Sequence, residues 1–138
     1  MKKIFIIITT CIFLSNCSKL NFFGFGEKKN KFKKYEINEY LWKSSENFLS
    51  KYPNVESDLQ EGLISTDWIV SAKNPDTRFR IAVYILGSNI THKNIKVITD
   101  KERNVNGTWI QANTSILFNE NLQKIIISKA QKLESENY

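Results

Sequence analysis

The sequence predicts an α+β fold: a single domain with an antiparallel sheet of three to four strands and helices at its N- and C-terminal ends, both on one face. Three observations lead there. The length of 138 residues permits one domain. Apolar residues recur at spacings of three and four near both ends of the body, and they alternate in twos through its middle.

The first helix rests on Ile37, Tyr40, Leu41, Phe48, Leu49 and Tyr52, with small Ser44 and Ser45 filling the same stripe. That spacing predicts about fifteen residues of amphipathic helix, ended by Pro53. From Gly62 to Val70, β-branched residues and Trp68 predict a strand. Asn74-Pro75-Asp76 supplies turn chemistry for the connection that follows. Arg78 to Leu86 is the clearest strand, with Phe79, Ile81, Val83 and Ile85 on one face and Arg80, Ala82, Tyr84 and Leu86 on the other. Gly87 ends it.

A third strand is expected near Lys93 to Asp100, with Ile95, Val97 and Thr99 on one face. Asn106-Gly107 predicts a tight turn into a short return strand at Thr108 to Gln111. Asn119 is the expected N-cap of a closing helix marked by Leu122, Ile125, Ile126, Ala130 and Leu133. No internal repeat is visible.

Ahead of this body, Lys2 and Lys3 precede an apolar run from Ile4 to Leu14. It is shorter than the ~20 residues that cross a bilayer and reads as the core of a signal peptide. The run closes on Leu14-Ser15-Asn16-Cys17, which resembles the lipobox of bacterial lipoproteins, with Asn16 where Gly, Ala or Ser is usual. That resemblance implies removal of residues 1–16 and acylation of Cys17. Ser18, rather than Asp, after the cysteine implies outer-membrane sorting, on the periplasmic face of the cell envelope. Residues 17–34 are then a tether, and residues 35–138 the domain. Phe22, Phe23 and Phe25 suit the lipid interface, and Lys28, Lys29, Lys31, Lys33 and Lys34 are suited to anionic headgroups; the alternative is a solvated linker whose charge binds nothing.

The chain has 20 Lys and Arg against 14 Asp and Glu, a formal charge of +6. Its distribution decides what that means. Residues 1–34 carry eight Lys against one acid, Glu27, whereas residues 35–138 carry 12 basic and 13 acidic side chains. A phosphate-gripping protein needs a basic face, and a near-neutral body leaves little excess to build one, so nucleic acid is not an expected partner.

Catalysis is not expected either. Both cysteines, Cys11 and Cys17, lie in the N-terminal stretch, and there is one histidine, His92, beside a turn, where a solvated loop residue is the expectation. No metal or cofactor is expected. Asp67 can reach Arg78 or Arg80 across a hairpin, which predicts a cross-strand ion pair. Trp42, Trp68, Trp109, Tyr40 and Tyr84 sit at helical and strand spacing, so they are core residues or the lining of a groove for peptide or lipid.

Thr66-Asp67-Trp68, followed after a polar loop by Arg78-Phe79-Arg80-Ile81, resembles a family of α-proteobacterial lipoproteins defined only as a domain of unknown function. Asn38-Glu39-Tyr40-Leu41-Trp42, Val83-Tyr84-Ile85-Leu86 and Gly107-Thr108-Trp109 extend the likeness. More distantly, the pattern is similar to the repeated domain of BamC, a lipoprotein of the outer-membrane β-barrel assembly machinery. That likeness implies a helix-grip-like domain working through contacts with other assembly proteins. It makes Thr66, Asp67, Trp68, Arg78, Arg80 and Trp109 the motif residues for structure or interaction. The expected function is thus a non-catalytic interaction module in envelope or β-barrel assembly; the alternative is a lipid- or small-ligand-binding lipoprotein with an apolar cleft between helix and sheet.

Overall fold

A computed structural model describes residues 31–138. The signal peptide expected at residues 1–16, Cys17, Lys28 and Lys29 lie outside the described residues, as do the side chains of Lys31 and Lys33. The elements run α1 (Lys31–Lys34), α2 (Glu39–Leu49), β1 (Val55–Asp58), β2 (Leu63–Thr66), β3 (Ile69–Val70), β4 (Thr77–Ile85), a 3-10 turn (His92–Asn94), β5 (Ile95–Val105), β6 (Thr108–Ala112) and α3 (Ile116–Glu136). The strands form one antiparallel sheet ordered β1-β2-β4-β5-β6, with β3 also paired to β4. The α+β fold is as the sequence predicts, with six strands rather than three or four. Among the described residues, no helix is long and apolar enough to cross a membrane.

The two long helices pack on the sheet face that carries Ile81, Val83 and Ile85 of β4 and Ile95 and Val97 of β5. Leu41, Trp42, Phe48 and Leu49 of α2 and Leu122, Ile126, Ile127 and Ala130 of α3 complete that core. Ser44 and Ser45 are buried in the α2 stripe, where small side chains let α2 and α3 approach. Asn38 starts α2 by a cap: its Oδ1 accepts from the Leu41 N–H at 2.8 Å, while its Nδ2 donates to the Ser88 carbonyl at 3.0 Å. One side chain therefore caps the helix and ties it to the loop after β4. Packing begins before the expected start of the domain at residue 35, because Phe32 of α1 is buried beside Trp42.

Five local expectations differ from the structure, the first being that α2 ends at Leu49 after 11 residues rather than running about fifteen to Pro53, so that Tyr52 packs against the core from beyond the helix. β1 went unpredicted because Val55-Glu56-Ser57-Asp58 is an exposed edge with no buried alternation to reveal it. The strand expected over Gly62 to Val70 is two strands, parted at Asp67-Trp68. β5 runs past Asp100 to Val105, its polar half held by pairing with β4 and β6 rather than by burial. The N-cap of α3 is Ser115, whose Oγ accepts from the Phe118 N–H at 3.3 Å, not Asn119, which lies inside the helix. The buried stripe begins only at Leu122, so periodicity alone starts the helix too late. The Asn106-Gly107 turn forms as expected, both residues taking positive φ.

Candidate functional site

Thr66-Asp67-Trp68 lies at the break between β2 and β3. Pairing of β2 with β4 stops at Ser65 opposite Ala82, and β3 resumes it at Ile69 opposite Phe79. In the gap, the Thr66 Oγ1 accepts the Ile81 N–H at 3.0 Å, replacing a strand carbonyl with a side chain. Asp67 holds the bend from the other side: its N–H donates to the Asn54 carbonyl at 3.2 Å, and its Oδ1 accepts from the Trp68 N–H at 2.7 Å. The irregularity places Trp68 over the outer sheet face, which no element covers among the described residues.

There Trp68 meets Arg78. The Arg78 Cζ lies 4.6 Å from the Trp68 ring centroid and 4.4 Å from that of Trp109, so the guanidinium is in cation–π contact with two indoles, one from the β2–β3 bend and one from β6. Glu102, directly opposite Arg78 in register, accepts from its Nε at 2.7 Å and its Nη2 at 2.6 Å. Arg80 repeats the pattern one step along: its Cζ is 5.1 Å from the Trp68 centroid, and its Nε donates to Asp100 Oδ2 at 2.7 Å. The Arg78 side chain is 25% exposed and that of Arg80 51%, so the second ion pair is the more screened. An open groove of about 590 Å³ adjoins the cluster, with Glu56, Ser65, Asp67, Trp68 and Arg80 in its walls.

The structure thus brings Trp68, Arg78, Arg80 and Trp109 together and gives Thr66 and Asp67 the task of shaping the bend. The expected ion pair from Asp67 to Arg78 or Arg80 is not formed. Both arginines are taken by carboxylates on β5, and the Asp67 carboxylate is turned back onto its own backbone. Sequence reasoning missed Glu102 because β5 was expected to end at Asp100; the alternation of Asp100 and Glu102 against Arg80 and Arg78 was the available signal. Of the other candidates, Trp42 is core and Lys34 is exposed, its Nζ 5.2 Å from the Tyr35 ring centroid. His92 is exposed in the 3-10 turn, where its carbonyl accepts from Gln123 Nε2 at 2.9 Å.

A second concave feature opens on the helix side of the sheet. It is a cleft of about 620 Å³ between the start of α3 and the Thr77 end of β4, walled by Tyr52, Phe79 and Phe118 and rimmed by Lys73 and Lys101. Tyr52 and Phe79 meet edge to face with centroids 6.3 Å apart.

A family model described as "Domain of unknown function (DUF3576)" matches residues 35–135. The chain belongs to this family. The DUF3576 region takes in the Trp–Arg cluster and the cleft alike. An 82-residue stretch is 32% identical to "Uncharacterized protein RP420" of Rickettsia prowazekii (strain Madrid E), covering 59% of this chain and 49% of that protein. The chain's match thus spans about half the length of that relative. No solved structure matches the chain.

Proposed function

We propose that this chain is a lipoprotein of the outer membrane's periplasmic face, anchored through acylated Cys17, whose domain is a non-catalytic protein-interaction module in envelope or β-barrel assembly. The observation that carries the reading is the uncovered sheet face on which Trp68, Arg78 and Trp109 are in contact, with Arg80 accessible beside them. Trp and Arg dominate binding energy at protein interfaces, and side chains already held in place lose little rotamer freedom on binding. The likeness to the BamC repeated domain supports the assembly role, and the concentration of Lys ahead of the domain supports a membrane surface over nucleic acid.

Geometry favours that division of labour. The chain enters the domain at α1, and Asn38 just after it bonds to Gly87 and Ser88 at the Ile85 end of β4. Arg78 lies at the opposite end of this nine-residue strand, about 24 Å away. A domain tethered at one end presents the cluster at the other.

The test is in-cell photocrosslinking from Arg80 and Gln111 on the outer face, with Ser128 on α3 as control. Crosslinks to barrel-assembly components from the first two positions are expected, and repeated recovery of none would sink the assembly role. Separately, Cys17→Ser should release the protein from membranes; retention through high-salt washing would sink the lipid anchor. A second reading, a lipid- or small-ligand-binding lipoprotein, is favoured by the cleft between α3 and the sheet.

A further inference from the structure

We infer that the cleft at the start of α3 binds a single-chain amphiphile with an anionic head, its acyl chain against Tyr52, Phe79 and Phe118 and its head beside Lys73 and Lys101. The inference deepens the ligand-binding reading above and rests on it.

The packing of α3 gives the first reason. Its buried stripe runs Leu122, Ile126 and Ala130, and one turn before Leu122 the same stripe reaches Phe118. Phe118 nevertheless remains 43% exposed, because the stripe has run out over the cleft. The sheet beneath changes character at the same place. Inward positions of β4 and β5 are aliphatic at Ile81, Val83, Ile95 and Val97, then become Phe79, Thr77, Thr99 and Lys101. A large aromatic ring left half in water beside space it could fill is the condition an apolar ligand relieves.

Charge gives the second reason. The walls and rim of the cleft carry two lysines and no carboxylate, and neither Lys73 nor Lys101 makes an ion pair among the described residues. The N-terminal end of the 21-residue α3, capped by Ser115, opens on the same space and adds the positive pole of a helix dipole. Thr99, also in the wall, is 6% exposed and its Oγ1 has no hydrogen-bond partner among the described residues. A buried hydroxyl without a partner marks this stretch of wall as polar where the rest of the inward face is aliphatic. Aromatic walls and a cationic rim together select a molecule that is apolar along its length and anionic at one end.

The experiment is calorimetric titration of the full chain in detergent-free nanodiscs, or of its Cys17→Ser form in solution, with oleate, lysophosphatidylglycerol and glycerol monooleate. Oleate and lysophosphatidylglycerol should each bind one to one, and the double variant Lys73→Glu with Lys101→Glu should weaken both by roughly tenfold. Glycerol monooleate should bind the wild type more weakly than oleate and be indifferent to the lysine change. Phe118→Lys should abolish binding of all three while leaving the circular dichroism spectrum and melting transition in place. Equal binding of glycerol monooleate, with no effect of the lysine variants, would overturn the anionic head while leaving an apolar ligand site. Absence of saturable binding by all three would overturn the inference and the ligand-binding reading with it. Selectivity between oleate and lysophosphatidylglycerol would identify the head as carboxylate or phosphate.

Discussion

Replacing Thr66 by Val removes one oxygen atom from the bend between β2 and β3 and leaves the side-chain volume almost unchanged. Thr66 is 5% exposed, and its Oγ1 is the acceptor for the Ile81 N–H at 3.0 Å, between the last β2–β4 pair and the first β3–β4 pair. Without it a buried amide loses its partner, a change that costs about 1–3 kcal/mol. For a domain of this size each kcal/mol lowers the melting temperature by about 4–8 °C, so the expected loss is about 4–24 °C. Thr66→Ser keeps the oxygen and loses only a methyl group, about 1 kcal/mol by area burial. Urea denaturation ranks the two variants, and hydrogen exchange at the Ile81 amide separates the causes. The amide should exchange faster in the Val variant relative to its global stability and retain its protection in the Ser variant. A Val variant as stable as the Ser variant, with the Ile81 amide equally protected in both, would refute the reasoning.

Gly62→Ala should destabilise the domain by about 2 kcal/mol or more in urea titration. Gly62 has φ +64°, and a Cβ there would run into the Ile85 carbonyl oxygen, across from the Gly62 carbonyl that accepts the Ile85 N–H at 2.8 Å. Ser115→Ala should cost about 1 kcal/mol through loss of the α3 cap, visible as a lower urea midpoint; a Ser115→Ala variant with an unchanged midpoint would mean that α3 is capped by another group. Arg78→Lys keeps the charge but neither the planar guanidinium over the two indoles nor the joint approach of Nε and Nη2 to Glu102 Oε2. It should cost about 1–2 kcal/mol and change the tryptophan emission spectrum, whereas Arg80→Lys, in a more exposed pair, should change stability by less than about 1 kcal/mol.

The sequence by itself was enough for the class of fold and most of its core. The stripe of Leu41, Ser45, Phe48 and Leu49 and the alternation of Ile81, Val83 and Ile85 are the buried faces of α2 and β4. These are legible because burial imposes a period of 3.6 or 2 on apolar residues along a continuous segment. Asn106-Gly107 was legible for a different reason: a tight hairpin turn needs positive φ at both positions, and these two residues accept it. β1 and the distal half of β5 left no such mark, since their residues are held by backbone pairing rather than by burial of one face.

The candidate site divides along the same line. Thr66, Asp67, Trp68, Arg78, Arg80 and Trp109 could be picked out as a set, but their partners could not. β4 has strands on both sides, so whether Arg78 meets Asp67 or Glu102 depends on the register of each pair and on the bend that turns Asp67 onto the Trp68 N–H, and one residue of register reverses every face. The cleft was open as a possibility in the sequence, yet its place, its aromatic walls and its two unpaired lysines follow from where the stripe of α3 runs past the aliphatic part of the sheet. Periodicity along one segment fixes what must be buried; the docking of one segment on another fixes what is left uncovered, and that remainder is where both proposed binding surfaces lie.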